Sequence, residues 1–187
     1  MEHFYNNIEG WFSYDYIYKH AVDTAQNGEL FVEVGSFKGR SSAYMAVEIV
    51  NSGKKIQFDC VDTWEGSSEH QAGAECEVKE VVDGTLYDTF LNNMKPVEGY
   101  FKPLRMTSLE AAAQYEDNSI DFIMIDGAHE YEAVKADILA FLPKMKNGGV
   151  MTGDDAFSLE VRNAAQECLS GHKLEFPGVH FYAVINK

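Results

Sequence analysis

Val32-Glu33-Val34-Gly35-Ser36-Phe37-Lys38-Gly39-Arg40-Ser41-Ser42 is the stretch whose reading decides the fold. Branched apolar residues stop at one glycine, and a second glycine opens a segment of helical pattern. The stretch therefore reads as a strand, a tight turn and a helix. Gly35 lets the backbone approach a ligand closely. A helix opening near Gly39 points free N–H groups at that ligand. The spacing is G-x-x-x-G, not the G-x-G-x-x-G of a dinucleotide fold. A pyrophosphate needs the glycine-rich cradle, whereas an amino-acid carboxylate does not. Glu33, beside Gly35, can accept hydrogen bonds from an ammonium group. On its own, such a turn is explained equally well by plain architecture.

Outward from this turn, short apolar runs alternate with amphipathic stretches, as in a parallel sheet flanked by helices. Strands are expected at residues 30–34, 56–61, 101–104, 120–125, 150–152 and 179–185. Helices are expected at 41–50, 86–94, 131–142 and 159–169. Pro143 ends or kinks the third of these helices, and Asn147-Gly148-Gly149 breaks the chain before a short fifth strand. Residues 1–28 read as a helical extension rich in aromatics, among them Phe4, Tyr5, Trp11, Phe12, Tyr14, Tyr16 and Tyr18. Residues 65–84 read as a polar, acidic insertion of the kind that forms lids. The 187 residues read as one domain.

Lys and Arg number 15 against 30 Asp and Glu, a net charge of −15. Such a surface repels nucleic-acid phosphates and anionic membranes. It suits a divalent cation, though solubility explains the acidity equally well. Cys60, Cys76 and Cys168 form no C-x-x-C, which points to a reducing cytoplasm rather than a zinc or disulfide framework. No apolar run is long enough for a bilayer, and the N-terminus lacks a secretory pattern.

The second strand ends in Cys60-Val61-Asp62-Thr63-Trp64. An acidic residue one strand-helix-strand unit after Gly35 can take both hydroxyls of a ribose; a solvated strand-end carboxylate is the plainer alternative. Glu33, Gly35, Gly39 and Asp62 together describe a site for a nucleoside that carries an amino acid. Asp126 follows the fourth strand, and Asp154 and Asp155 follow the fifth, so adjacent parallel strands bring all three to one edge. Crowded carboxylates repel unless a cation or protons intervene. Hard oxygen ligands favour Mg²⁺, Ca²⁺ or Mn²⁺. His129, in an Asp-Gly-x-His turn, suits a general base. Exposed strand-end carboxylates and a loop histidine that caps the next helix explain the same residues. His3, His20, His70, His172 and His180 read as surface or core residues, and Asp137 as structural.

The segments VEVGSFKGRSS (32–42), VDTW (61–64), IDFIMIDGAHEYEAVKADI (120–138) and NGGVMTGDD (147–155) together resemble class I S-adenosylmethionine-dependent methyltransferases. The resemblance spans roughly residues 30–157 and is closest to a small-molecule branch. It is also similar to the cation-dependent catechol O-methyltransferase group. It implies a Rossmann-like α/β fold: a mostly parallel seven-stranded sheet, one antiparallel strand near the C-terminus, and helices on both faces. It implies S-adenosyl-L-methionine lying across the C-terminal strand edges, with Glu33 near the ammonium and Gly35 and Ser36 beneath the cofactor. Gly39 and Ser41 would stand at the carboxylate, Asp62 at the ribose, Thr107 and Ser108 at the adenine, and Asp126 at the reacting end. The metal ligands of the catechol group match by type at Asp126 and Asp154, while Asp155 replaces an asparagine. His129 stands where that group has its catalytic lysine.

The expected reaction is O-methylation of a small hydroxylated acceptor. His129 takes the proton, Asp126, Asp154 and Asp155 hold Mg²⁺, and aromatics of 1–28, with Trp64 and the 65–84 insertion, cover the acceptor. Homodimers are frequent in the resembling group. A nicotinamide-dependent oxidoreductase shares the strand-turn-helix but would carry G-x-G-x-x-G. A non-catalytic subunit that keeps the cofactor pocket is the other rival.

Overall fold

A computed structural model of the chain describes residues 1–67 and 70–187. One sheet runs in the order β3-β2-β1-β4-β5-β7-β6. Its strands are β1 Leu30–Val34, β2 Gln57–Asp62, β3 Lys102–Arg105, β4 Ile120–Ile125, β5 Met145–Gly153, β6 Lys173–Glu175 and β7 Phe181–Val184. β1 to β5 pair in parallel. β7 is antiparallel to both β5 and β6, so it alone runs against the rest. The strand order reverses between β1 and β4, which opens a crevice at their C-terminal ends, the place where open α/β sheets bind ligands.

Both faces of the sheet are buried, which is why its central strands are almost continuously apolar. Phe31, Phe58, Cys60, Phe122 and Met124 project to one face. There they join residues of α1 Asp15–Thr24, α2 Arg40–Ser52 and α4 Leu86–Met94. Val32, Val34, Val61, Ile123 and Ile125 project to the other, with α5 Ser108–Ala112, α6 Tyr131–Phe141 and α7 Leu159–Leu169. Glu33 shares the face of Phe31 and is fully buried, a carboxylate inside an apolar layer. The short α3 Lys79–Val82 lies in the 65–84 segment, where Ser68 and Glu69 fall outside the described residues.

The sequence reading departs from this fold at β5, β6 and α5, besides the short α3 within the 65–84 insertion. β5 is not a short strand after a glycine break: it runs through Asn147-Gly148-Gly149. Gly148 adopts φ +82°, and the register against β4 shifts between Ile120 and Phe122, so the glycine pair bulges the strand without ending it. β6 was unread because Leu174 is the one apolar residue of its three. α5 was unread because it is five residues long, although Thr107 and Glu110 close a capping box over it. Pro103 sits in β3, an edge strand, where a missing N–H is tolerated. Pro143 follows the end of α6 in a 3₁₀ turn, as its ring requires. Among the described residues, no helix is long and apolar enough to cross a membrane.

Candidate active site

A cavity of about 730 Å³ opens over the C-terminal ends of β1, β2, β4 and β5, within the size range of small-molecule sites. Its floor is the β1–α2 turn. Gly35 has φ +91°, and a Cβ there would stand 2.0 Å from the Asp126 carbonyl oxygen. Only glycine permits this approach of two strand-end turns. Gly39, at φ +89°, begins α2 with no side-chain cap, so the first N–H groups of a thirteen-residue helix are left for a ligand. Phe37 is held at φ +46°, an uncommon conformation for a bulky residue. Its N–H donates to Asp62 Oδ2 at 2.8 Å, and Trp64 N–H donates to Asp62 Oδ1 at 2.7 Å. Asp62 therefore braces the glycine turn while facing the cavity. Burial pushes its carboxyl above the usual range, and these backbone donors pull it back.

Gly35, Ser36, Ser41, Asp62, Thr107, Ser108 and Asp126 all line this cavity. Two expected cofactor residues do not: Gly39 is packed against Met94 and Phe90, and Glu33 lies beneath the floor. Glu33 accepts from Tyr18 at 2.6 Å, from Ser36 at 2.8 Å and from Ser42. Three hydroxyls thus occupy the carboxylate expected to meet an ammonium. The side-chain alternation of β1 turns Glu33 toward α1 and α2, away from the cavity. Thr107 and Ser108 are on the wall, with hydroxyls already engaged by Glu110 and Asp137. Asp137 itself reaches the cavity, which reading it as structural missed.

The acidic residues divide differently from the expected trio. His129 Nε2 lies 2.9 Å from Asp155 Oδ2 and 4.0 Å from Asp126 Oδ1. Asp126, His129 and Asp155 each offer a ligand atom within 4.8 Å of the others, a grouping that could hold a metal ion. Asp154 also lines the cavity but pairs with other residues. Its Oδ1 is 3.2 Å from His180 Nε2 and accepts the Asp155 N–H at 2.8 Å, and its Oδ2 accepts from Ser13 at 3.4 Å. The left-handed φ of Asp155, +55°, sends the two neighbouring side chains in different directions. Burial drives the Asp126 carboxyl well above its ordinary range. The Tyr14 hydrogen bond opposes that, and the charges of Asp154 and Asp155 reinforce it.

The rim joins the N-terminal segment to the insertion. Trp11 is 68% exposed and stacks on His70 at 6.0 Å between ring centroids, with Phe37 5.4 Å from the same imidazole. Lys38 is buried and bonds Glu9 at 2.6 Å and Glu80 at 2.9 Å. One lysine thereby ties the glycine turn to the N-terminal segment and to α3. Trp64, expected over the acceptor, is buried; its Nε1 donates to the Phe37 carbonyl, and its ring packs on Tyr87 and Phe90. It shapes the turn and does not line the cavity. His180, taken for a surface or core residue, is buried beside Asp154. No short-range pattern marks it or Tyr14.

The family model described as "Methyltransferase domain" matches residues 32–156. That span holds the glycine turn, Asp62 and the Asp126/His129/Asp155 group. The uncharacterized protein y4gI of Sinorhizobium fredii is 30% identical over 124 residues. The match covers 66% of this chain but 13% of that relative, so the chain spans about an eighth of the relative's length. Among solved structures, the O-methyltransferase NovP aligns with a TM-score of 0.69 and 14% identity, covering 92% of this chain and 79% of that one. The TDP-rhamnose 3'-O-methyltransferase CalS11 aligns at 0.58 and 18% identity, covering 92% and 77%. Fibrillarin of Aeropyrum pernix, bound to S-adenosyl-L-methionine, aligns at 0.58 and 13% identity, covering 85% and 67%. At such identities these structures attest the fold, and the family match leaves the nicotinamide reading without support. The chain belongs to the methyltransferase-domain family and shares the fold of these methyltransferase structures.

Proposed function

We propose that this chain methylates an oxygen of a small hydroxylated acceptor, with a divalent cation assisting at Asp126, His129 and Asp155. The observation that carries the reading is the sharing of one cavity by the glycine turn and this three-residue group. Gly35 and Ser36 would lie beneath the methionine end of the cofactor, Ser41 at the opening of α2 would hold its carboxylate, and Asp62 would take the ribose. When bound, S-adenosylmethionine would supply an electrophilic methyl group to the acceptor oxygen, with S-adenosylhomocysteine as the leaving group. His129 takes the acceptor's proton, with Asp155 at 2.9 Å stabilising the imidazolium. A bound cation would polarise the acceptor hydroxyl and lower its pKa. The protein's own share is to orient the reactants, which is most of what this chemistry demands.

O-methyltransferases among the structural neighbours favour oxygen as the target. The cavity wall carries Asp62, Asp126, Asp137, Asp154 and Asp155 against one Arg or Lys among the described residues, Arg40, which disfavours an anionic acceptor. Arg40 is already turned to the Ile8 carbonyl at 3.1 Å. Calorimetric titration with S-adenosylhomocysteine, followed by methyl transfer to diphenols, sugars and amines with Mg²⁺ or with chelator, tests the reading. Transfer to hydroxyl compounds that chelator abolishes is expected. Cofactor binding with transfer to amines alone would move the target from oxygen to nitrogen.

A further inference from the structure

Four hydroxyl residues near the N-terminus, Ser13, Tyr14, Tyr16 and Tyr18, reach carboxylates or a histidine at the strand ends. Tyr14 is fully buried and donates to Asp126 Oδ2 at 2.6 Å, across 112 positions of sequence. Asp126 Oδ1 is then the oxygen left toward His129. Ser13 lies 3.1 Å from His180 Nε2, and the Tyr16 hydroxyl lies 3.0 Å from His180 Nδ1. His180 in turn meets Asp154, which receives the N–H of Asp155. The N-terminal segment thus touches both arms of the acidic group through side chains, besides contributing packing.

We propose that Tyr14 is a positioning residue of the reaction site: its hydroxyl fixes the Asp126 carboxylate so that Oδ1 faces His129 and Asp155. The physical reason is rotational. A carboxylate held at one oxygen by a buried donor has little freedom to turn, and such outer partners tune the groups they hold. Tyr18 provides the internal contrast. It sits one turn further along α1, is equally buried, and donates at the same 2.6 Å, but to Glu33, which does not line the cavity. The proposal rests on the Asp126/His129/Asp155 reading, so its test separates the two.

Mn²⁺ binding to the protein saturated with S-adenosylhomocysteine is measured by calorimetry for wild type, Tyr14→Phe and Tyr18→Phe, with melting temperature and S-adenosylhomocysteine affinity alongside. Tyr14→Phe should weaken Mn²⁺ by about 10-fold, the lower end for loss of such a partner. Tyr18→Phe should stay within about 2-fold of wild type, with comparable melting loss. Unchanged Mn²⁺ affinity in Tyr14→Phe, or equal weakening in both variants, overturns the proposal. If wild type binds no Mn²⁺, the metal reading alone falls, and the crystal structure of Tyr14→Phe decides. An Asp126 carboxylate turned away from His129 supports the positioning role, and the wild-type orientation overturns it.

Discussion

The two halves of the cavity are built by different means. The half over β1 and β2 is made of backbone: Gly35 at positive φ, the open N-terminus of α2, and a loop braced by Asp62. The half over β4 and β5 is made of side chains: Asp126 and Asp154 are held by Ser13, Tyr14 and His180 from opposite ends of the chain, and His129 pairs with Asp155. Backbone sites are rigid and tolerate few substitutions. Side-chain sites can be altered piece by piece. Damage to the first half should therefore cost folding and cofactor together, and damage to the second should cost turnover alone.

Gly35→Ala is the hardest test of the first half. The added methyl collides with Asp126 backbone, so a loss of about 2–4 kcal/mol of stability and of S-adenosylhomocysteine binding is expected. Chemical denaturation and calorimetry read both. A normal affinity in this variant would break the contrast. His129→Ala probes the second half, and kcat should fall about 100-fold with cofactor affinity and melting temperature intact. Asp62→Ala removes the proposed ribose acceptor and the brace of Phe37 and Trp64. Cofactor affinity should drop about 10- to 100-fold, as for loss of hydrogen bonds to a charged group, with a smaller change in kcat.

A fourth test concerns the carboxylate under the floor. Burial raises the folded-state pKa of Glu33, above an unfolded value of about 4.3. The folded protein then holds that proton more tightly. The stability linked to it is complete below the unfolded pKa and is lost as pH rises through the folded one. Melting curves from mild acid to neutrality should show wild type losing ground against Glu33→Gln as pH climbs; a constant difference would contradict this. The smallest effect is expected at the rim. Glu9 is 81% exposed while its partner Lys38 is buried and keeps Glu80, so Glu9→Gln should cost under about 1 kcal/mol.

The same division explains what the sequence could disclose. The turn from Val32 to Ser42 and Asp62 are legible because glycine spacing and a strand-end acid are local signals, and the fold follows from them and the apolar runs. Asp126, His129, Asp154 and Asp155 are legible as a neighbourhood, since parallel strands end at one edge. Which aspartate faces His129 is not, because it turns on the left-handed φ of Asp155. Glu33 misled because its distance from the turn is right but its face of β1 is wrong. Tyr14 and His180 were out of reach, since their partners lie 112 and 26 positions away and no periodicity links them.

The contact between Gly35 and the Asp126 carbonyl has a consequence for how such a domain can diversify. It makes one shared wall of two motifs ninety-one positions apart, so neither can change its main-chain path without forcing the other to follow. New acceptor preferences must then be written elsewhere, on the tethered rim where Trp11 of the leading segment meets His70 of the insertion. A mutational library confined to those two segments would vary the cavity's rim while leaving that shared wall untouched.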